Sequence, residues 1–462
     1  MPEVRQYSVG NERIQEEQIM DIFDEVIEER SRHNLSKRKA IVVDYGHFLS
    51  HAVRLAQDFG ETFYVPFGWK GSFARPEKSM IGDGIKGITC VPDFFDAKKE
   101  IDPERDLIAF FDVGDGAMAE DLRKQGYKRV FSMGKSEIIE QNRYKFKELL
   151  ESVGLPVIPY NGGDWRKGHV IGLTALEKRL KEIDGPKWVK LSTYRGLSET
   201  FKFESFIQVQ SILAKMRHDA GAYAEKVQFL IEDDLPAREG GSDNLFSDGH
   251  YFSRCLQGYE EKGEGYFSKV IETRDLPKSL LTILGRLAPY LKSNGARGML
   301  STEVRVTKEG KAYFTDATQR SGNPPGDLQT AIWKNFPHMV YAAAGGEIIA
   351  PIPAGKYGVQ LNLHSSWAEH ETMVIEFPEK IADSVKLRNV AFIDGHYQYI
   401  PQSEMISIGS VVGIANSPEE AYKKAVSVAD QVKGQCIEYD KNLYIELTET
   451  IKEAEKTGLG KF

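Results

Sequence analysis

The sequence predicts a protein with an open α/β domain near its amino terminus, an α+β region in the middle and a small strand-and-helix domain at its carboxyl end. The chain has 462 residues, more than one compact core usually holds, so about three domains are expected. Strand and helix patterns alternate from residue 38 to residue 134, which is typical of an open, largely parallel sheet. Farther along the chain, strand-loop-strand units and a hairpin replace this alternation.

The charged amino-terminal segment carries one helical signal, a stripe formed by Ile19, Ile22, Phe23, Val26 and Ile27. Such a helix would dock on the body of the protein or on a second subunit, which leaves a homodimer open. We therefore divide the chain into a helical extension, the α/β domain, the α+β region and the carboxyl-terminal domain, at residues 1–37, 38–134, 135–350 and 351–462.

Charge and composition limit the classes of function. The formal net charge is −8 and the isoelectric point is near 5.8, which argues against a nucleic-acid groove as the main binding surface. The three cysteines are far apart and lack metal-ligand spacing. Neither a secretory leader nor a membrane-length apolar run is present, so we expect a cytoplasmic protein that does not bind a membrane.

The α/β domain begins with the buried-strand pattern Ala40–Asp44, followed by Gly46 and a helix. Ligands of such domains bind beyond the carboxyl ends of the strands, where the loop Asp44–Ser50 would lie. This loop either binds the anionic end of a substrate through backbone N–H groups or is a plain strand-to-helix turn. Further strands are predicted at 62–66, 87–91, 106–112 and 129–131, and a helix at 116–125.

The middle region opens with a helix that starts near Glu137 and stops at Gly154. Strands at 188–192 and 200–204 flank a loop with a basic, hydroxyl-rich tip, and another strand runs from Val227 to Leu235. Residues 238–248 contain adjacent glycines and several acidic residues, which predicts a turn-rich connection. A leucine-rich helix through 280–291 then leads into a hairpin.

This hairpin, at 299–320, is the most informative stretch of the sequence. Alternating residues on either side of a turn at Glu309–Gly310 place Glu303 opposite Asp316 and Ser301 opposite Thr318. The same alternation puts Phe314 on the face of Glu303. Like charges that face each other destabilise a sheet unless they are neutralised. A divalent cation such as Mg²⁺ would neutralise them; alternatively, the carboxylates are solvated or are neutralised by Arg305 and Arg320.

The carboxyl-terminal region carries strand patterns at 359–363, 373–377 and 405–412. A helix is then predicted over Pro418–Lys433, with Ser417 as its N-cap, proline at its first position and Glu420 at N3.

Together these segments resemble the ATP-grasp superfamily over roughly residues 136–325, most closely its phosphoribosylamine–glycine ligase and biotin carboxylase branch. The family pattern of an acid, a spacer and acid-x-Asn-x-Arg corresponds to Glu303 followed by Asp316-Ala-Thr-Gln-Arg320. Asp316 replaces the more usual glutamate, and Thr318 replaces the asparagine. The resemblance implies two α+β lobes that hold ATP, with Glu303, Asp316 and Thr318 as ligands of Mg²⁺, or of Mn²⁺ in its place.

The resemblance also implies contacts to the nucleotide and to the reacting groups. Leu235 would pack on adenine, Glu239 would accept the ribose hydroxyl groups, and Arg195 and Ser198 would belong to a phosphate loop that contains only one glycine. Arg320 would contact the transferring phosphate or the substrate carboxylate. The implied nucleotide-binding residues are Arg143, Lys190, Arg195, Ser198, Glu232, Leu235 and Glu239, and the implied catalytic residues are Arg320, Lys269 and Arg297.

The activity that the resemblance implies is ATP- and Mg²⁺-dependent ligation of a small carboxylic acid to an amine through an acyl phosphate, with release of ADP. A kinase or carboxylase on the same scaffold is a second interpretation. A third is a nucleotide-binding regulatory module without turnover.

Overall fold

The computed structural model describes residues 33–66, 80–192, 200–401 and 407–460. The helix predicted through Ile19 and Ile27 and the loop with Arg195 and Ser198 lie outside these ranges. Among the described residues, no helix combines the length and the apolar character needed to cross a membrane.

A parallel sheet lies near the amino terminus, with the strand order β3-β2-β1-β4-β5. The central strand β1 is buried on both faces: Ala40 and Val42 pack into one apolar cluster, and Ile41 and Val43 pack into another. The strands are β1 Lys39–Asp44, β2 Glu61–Pro66, β3 Thr89–Cys90, β4 Leu107–Phe110 and β5 Arg129–Phe131, and the helices are α1 Leu49–Ala56, α2 Phe94–Lys99 and α3 Gly116–Lys124.

The next elements connect this sheet to a small lobe with its own apolar core, to which Leu176, Val189 and Phe229 belong. The lobe contains an antiparallel sheet in the order β6-β9-β7-β8. The connecting helices are α4 Ile138–Gln141 and α5 Arg143–Ser152; the lobe contains β6 His169–Ile171, α6 Leu173–Lys181, β7 Lys187–Leu191, β8 Thr200–Phe203, α7 Phe206–Ala220 and β9 Gln228–Asp233.

A large antiparallel sheet forms the centre of the molecule, in the order β15-β14-β10-β12-β13-β16-β21-β18, with β11 beside β10 and β22 beside β16. It continues across residue 350, because β13 pairs with β16. Its strands are β10 Glu239–Ser247, β11 His250–Tyr251, β12 Arg254–Glu261, β13 Gly265–Glu272, β14 Arg297–Val306, β15 Ala312–Thr318, β16 Tyr357–Ser365, β18 Val385–Leu387, β21 Ser407–Ala415 and β22 Ile437–Glu438.

The predicted turn-rich connection at 238–248 is wrong, because these residues form β10 between β14 and β12. The glycines belong to the sheet: a Cβ atom on Gly241 would collide with the carbonyl oxygen of Thr302. Asp243 is buried and accepts hydrogen bonds from the hydroxyl groups of Ser301 and Tyr266. A central strand can therefore contain an acidic residue whose hydrogen bonds come from neighbouring strands, and glycines where a neighbouring strand leaves no room for a side chain.

The hairpin β14–β15 confirms the predicted pairs Glu303–Asp316 and Ser301–Thr318. Beyond Glu303 the register shifts by one residue, so Val304 pairs with Phe314. The placement of Phe314 on the face of Glu303 is therefore wrong. Its ring is buried and meets the ring of Phe146 at a centroid distance of 4.9 Å.

Helices and a small sheet complete the fold. The helix predicted over Pro418–Lys433 is observed as Pro418–Ala429, and the Ser417 hydroxyl accepts a hydrogen bond from the Glu420 N–H at 3.3 Å. The small sheet has the order β17-β20-β19, with β17 Met373–Ile375, β19 Val390–Ile393 and β20 His396–Tyr399. The helices are α8 Lys278–Ser293, α9 Gly326–Ile332, α10 Phe336–Ala344, α11 Pro418–Ala429 and α12 Leu443–Thr457.

Candidate active site

The facing carboxylates Glu303 and Asp316 lie on one face of the large sheet and have different electrostatic surroundings. Burial raises the pKa of Glu303 well above its usual value, and the charges of Glu239 and Asp316 raise it further. Burial also opposes ionisation of Asp316, but the cations Arg143, Lys190 and Lys262 lower its pKa overall. Asp316 is thus held ionised while Glu303 lacks enough positive charge, an arrangement that suits an additional cation.

Arg143 reaches Asp316 because the long helix predicted from Glu137 is interrupted. Asn142 leaves the helical conformation and caps α5, its side-chain oxygen accepting a hydrogen bond from the Lys145 N–H at 3.0 Å. Arg143 is then the first residue of α5, and its Nη2 lies 3.2 Å from Asp316 Oδ2. Its Nη1 donates to the carbonyl oxygen of Leu191 at 2.8 Å, so Arg143 ties the small lobe to the hairpin.

Lys190 projects from β7 toward the same hairpin and is held by Glu232. Its Nζ lies 3.1 Å from Glu232 Oε2 and 3.4 Å from the carbonyl oxygen of Thr315. Lys147 contacts the other carboxylate oxygen of Glu232. Burial alone would raise the pKa of Glu232, but both lysines lower it to about 2. Glu232, predicted to bind nucleotide, is therefore positioned to orient Lys190.

Leu235 and Glu239 lie at one end of the hairpin and are joined by Arg305. The guanidinium of Arg305 contacts Glu239 Oε2 at 3.1 Å and the carbonyl oxygen of Leu235 at 3.4 Å. The bulge residue Thr315 donates its hydroxyl hydrogen to Glu239 Oε2 and is also within 2.9 Å of the Glu303 carbonyl oxygen. Arg305 and Thr315 therefore connect Glu239 and Leu235 to this end of the hairpin.

Glu260 and Lys262 are absent from the residues predicted from the sequence, yet they belong to the same group of charges. They lie at the end of β12 and in the turn to β13. Burial raises the pKa of Glu260 to about 8, and the nearby Glu303 carboxylate is the main cause of a raised pKa at Lys262. The sequence feature that could have indicated these two residues is Glu-Glu-Lys-Gly-Glu, which lies between two runs of strand-forming residues. Gly263 has a φ of +87° in the turn.

Thr318 and Arg320 follow Asp316 along the hairpin. Thr318 lies opposite Ser301, one position along the same face as Asp316. Arg320 Nε contacts Glu140 Oε1 at 3.0 Å and lies 3.8 Å from Asp112 Oδ1. Asp112 follows β4, so Arg320 connects the hairpin to the carboxyl edge of the parallel sheet.

The loop Asp44–Ser50 lies at that edge, and its structure favours the turn interpretation. Asp44 Oδ1 accepts hydrogen bonds from the N–H groups of Tyr45 and His47 at 2.6 and 3.2 Å, and Oδ2 accepts one from Phe48 at 2.8 Å. Three of the loop's N–H groups are therefore bonded to its own carboxylate and are not open to an anionic substrate.

Lys269 and Arg297, both predicted to be catalytic, lie away from the Glu303–Asp316 pair. Cross-strand pairing places Glu303, Gly241, Gly258 and Ser268 in one row on one face, so Lys269 points to the other face. There, burial and the charge of Lys356 lower its pKa. Arg297 begins β14, six positions before Glu303, which corresponds to ~20 Å along the strand. Its Nη1 donates to the carbonyl oxygen of Ala344 at 3.2 Å.

The donor set limits how a metal ion could be held. Within the described ranges, no group of three or more histidine, cysteine, aspartate and glutamate side chains is arranged as a metal site. A cation would therefore rest on Glu303 and Asp316 together with oxygen atoms of a bound nucleotide, which is a usual environment for Mg²⁺.

Comparisons with known proteins find similarity at the level of structure alone. No protein-family profile and no curated protein sequence matches the chain. Among solved structures, phosphoribosylamine–glycine ligase from Thermotoga maritima has a TM-score of 0.64 at 16% identity and covers 87% of this chain and 98% of its own. Biotin carboxylase from Campylobacter jejuni has a TM-score of 0.61 at 15% identity and covers 92% and 99%. N5-carboxyaminoimidazole ribonucleotide synthetase from Thermotoga maritima has a TM-score of 0.54 at 14% identity and covers 86% and 99%.

Proposed function

We propose that this chain, which has the ATP-grasp fold, is an ATP-dependent ligase that joins a small carboxylic acid to an amine and releases ADP and phosphate. The observation that carries the proposal is the facing pair Glu303–Asp316, with Arg143 and Lys190 directed at it from the small lobe. Carboxylates that hold a cation, surrounded by further cations, suit the triphosphate of a nucleotide.

The proposed role of each residue follows from its position relative to the hairpin. Leu235 and Glu239 would contact the adenine and ribose, while Arg143 and Lys190 would contact phosphate oxygens. Glu303 and Asp316 would hold Mg²⁺, with Thr318 beside them, and the bound ion would neutralise the charge of the phosphate oxygens. Arg320, at the edge of the parallel sheet, would orient the substrate carboxylate through its planar guanidinium.

The proposed chemistry proceeds in two steps. A carboxylate oxygen of the acid attacks the γ-phosphorus of ATP, the bond to the bridging oxygen breaks and ADP leaves. The amine nitrogen then attacks the acyl carbon, phosphate leaves, and a proton passes from nitrogen to solvent. Because Arg143 and Lys190 are held in place by Asp316 and Glu232, they would stabilise the charge that develops on the phosphate oxygens with little reorganisation.

The neighbouring enzymes include a carboxylase as well as ligases, so the fold is compatible with both. Further structural neighbours are complexes with ADP or with the magnesium salt of ADP, which supports ATP and Mg²⁺ as ligands of this chain too. A kinase or a carboxylase would form a product other than an amide, and a regulatory module would form no product.

Product stoichiometry tests the proposal. The protein is incubated with ATP, Mg²⁺ and panels of acids and amines, and ADP is quantified together with any new amide. A ligase forms equal amounts of ADP and amide when both substrates are present. ADP with a stable phosphorylated product would indicate a kinase, bicarbonate-dependent ADP release would indicate a carboxylase, and nucleotide binding without turnover for any combination would indicate a regulatory module.

A further inference from the structure

A buried chain of hydrogen bonds joins helix α1 to the connection between β15 and α9. Ser50 and His51 lie on α1, Ser321 lies in the connection, and Asp327 lies on α9. His51 Nε2 is 2.8 Å from Ser321 Oγ, and His51 Nδ1 is 3.2 Å from Ser50 Oγ. The Ser50 hydroxyl donates a hydrogen bond to Asp327 Oδ1 at 2.6 Å. All four side chains are buried, and the proposed chemistry assigns a role to none of them.

The carboxylate of Asp327 sets the direction of these hydrogen bonds. Burial would raise the pKa of Asp327, but the charge of Arg388, whose Nη2 lies 2.5 Å from Oδ2, lowers it overall. An ionised carboxylate only accepts hydrogen bonds, so the Ser50 hydroxyl gives its one hydrogen to Asp327. The Ser50 oxygen then accepts from the Nδ1–H of His51, which leaves Nε2 as the acceptor for the Ser321 hydroxyl.

Aromatic rings enclose His51 and fix the orientation of its imidazole. The ring centroids of Phe111, Phe48 and Phe336 lie 4.6, 5.2 and 5.9 Å from that of His51. Burial lowers the pKa of His51 to about 3, so the ring is uncharged near neutral pH. His51 therefore presents a neutral, immobile acceptor to the hydroxyl of Ser321.

Ser321 is held at three atoms, and one of them contacts Arg320. Its N–H donates to the carbonyl oxygen of Phe111 at 2.9 Å, and its hydroxyl donates to His51. Its carbonyl oxygen accepts a hydrogen bond from Nη1 of Arg320 at 3.3 Å. Nε of the same guanidinium donates to Glu140 Oε1 at 3.0 Å. Arg320 is therefore oriented by a carboxylate and by the backbone of a residue that His51 anchors.

We infer that His51 and Ser321 are positioning residues that hold the guanidinium of Arg320 at the carboxyl edge of the parallel sheet. A guanidinium whose rotamer is already fixed loses less side-chain entropy when it binds an anion than a mobile one does. The contact between Arg320 and a substrate acid belongs to the proposed function, on which this role rests. The orientation of Arg320 itself can be measured without turnover.

Hydrogen exchange at the Nε–H of Arg320 measures how firmly the guanidinium is held. The full chain is labelled with ¹⁵N-arginine, and exchange is followed by NMR in wild type, Ser321→Ala, His51→Phe and Ser365→Ala. His51→Phe keeps an aromatic ring but removes the nitrogen that meets Ser321. Ser365 is the matched control, because its buried hydroxyl also donates a hydrogen bond, to the carbonyl oxygen of Gln435 at 2.7 Å, at the end of β16.

The Nε–H of Arg305 serves as the reference within each protein. Arg305 Nε lies 3.1 Å from Glu239 Oε2, and its side chain is 24% exposed, against 23% for Arg320. The two signals are assigned by their loss in Arg305→Lys and Arg320→Lys. A general loss of stability would speed exchange at both arginines, whereas loss of the Ser321 anchor speeds it at Arg320 alone.

We expect the Nε–H of Arg320 to exchange about tenfold faster in Ser321→Ala and His51→Phe than in wild type, the scale for loss of one buried hydrogen bond. Ser365→Ala should match the wild type, and exchange at Arg305 should be the same in all four proteins. Unchanged exchange at Arg320 in Ser321→Ala, or equal acceleration at Arg305, would overturn the inference.

Should neither variant fold, the ¹⁵N-histidine spectrum of the wild type decides. The hydrogen-bond chain requires a proton on Nδ1 of His51 and none on Nε2. A proton on Nε2 would overturn the inference, because Ser321 would then not donate to His51.

Kinetics give a second readout that general structural damage would not reproduce. Ser321→Ala should raise the KM for the acid about tenfold and leave the KM for ATP within about twofold of wild type. Equal rises in both KM values would contradict a positioning role toward Arg320. Absence of turnover in wild type with every acid and amine would count against the ligase function only, and exchange at Arg320 would still decide the positioning.

Discussion

Glu303 lies directly opposite Asp316 in the β14–β15 ladder, at the last pair before a bulge shifts the register. The hydroxyl of the bulge residue Thr315 donates a hydrogen bond to Glu239, and the Thr315 carbonyl oxygen accepts one from Lys190. The bulge therefore connects the acidic pair to the small lobe, and bulges of this kind are common beside active sites.

The raised pKa of Glu303 predicts a pH-dependent stability. The pKa is 4.5 for an ordinary glutamate and well above that in the fold, so the unfolded chain loses this proton first as the pH rises. Above pH 4.5 the wild type therefore loses stability, and Glu303→Gln escapes this loss. In metal-free buffer we expect the variant's free energy of unfolding, relative to wild type, to be up to ~1 kcal/mol higher at pH 8 than at pH 5.

Denaturant unfolding at both pH values measures this difference. Glu309→Gln, at the exposed turn of the same hairpin, is the control and should show no such trend. An equal stability difference between wild type and Glu303→Gln at pH 5 and pH 8 would show that Glu303 ionises without cost in the fold.

Lys147 and Lys190 share the carboxylate of Glu232, but Lys190 also reaches the hairpin. We expect Lys190→Met to weaken binding of a non-hydrolysable ATP analogue at least tenfold, a loss of about 1.4 kcal/mol. Lys147→Met leaves Glu232 paired with Lys190 and should mainly lower stability. Calorimetric titration and thermal unfolding separate the two effects, and equal losses of affinity would contradict distinct roles for the lysines.

The positions of Arg320 and Lys269 predict opposite kinetic results. Arg320 lies between the hairpin and the parallel sheet, whereas Lys269 points to the other face of the large sheet. We expect Arg320→Ala to lower kcat/KM for the acid by about 10²-fold, the scale for loss of a group that stabilises developing charge. Lys269→Ala should stay within about threefold of wild type in the same ADP-release assay. A loss at Lys269 as large as that at Arg320 would restore the role expected from sequence.

Alternation in the hairpin predicts that Glu303 and Asp316 face each other, but the observed pairing also depends on the bulge at Thr315. Next to the Gly310 turn the pairs are Val306–Ala312 and Val304–Phe314, one residue away from the predicted register, and the extra residue of the bulge restores that register at Glu303–Asp316. The bulge could not be predicted, because the Thr315 hydroxyl is held by Glu239, which is distant in sequence. The resulting error placed Phe314 on the wrong face.

Long-range pairing explains the other differences. Gly240 and Gly241 resemble a turn until Tyr259 is known to lie against Gly240 and Thr302 against Gly241. The face of Lys269 depends on the registers of β14, β10, β12 and β13 together, which no single segment reveals. Lys147 pairs with Glu232 through tertiary packing alone. By contrast, the Ser417 cap could be predicted from the sequence, because its hydrogen bond forms within one helical turn.

Magnesium-dependent nucleotide binding tests the proposed role of the acidic pair most directly. A non-hydrolysable ATP analogue is titrated calorimetrically into wild type, Glu303→Gln/Asp316→Asn and Glu309→Gln, with and without Mg²⁺. The Mg²⁺ concentration is about 10 mM, roughly tenfold above the dissociation constants of weak divalent-cation sites in proteins. We predict that Mg²⁺ tightens binding at least tenfold for wild type and Glu309→Gln, and less than twofold for the double variant. Equal enhancement by Mg²⁺ in all three proteins would contradict a metal site at Glu303 and Asp316.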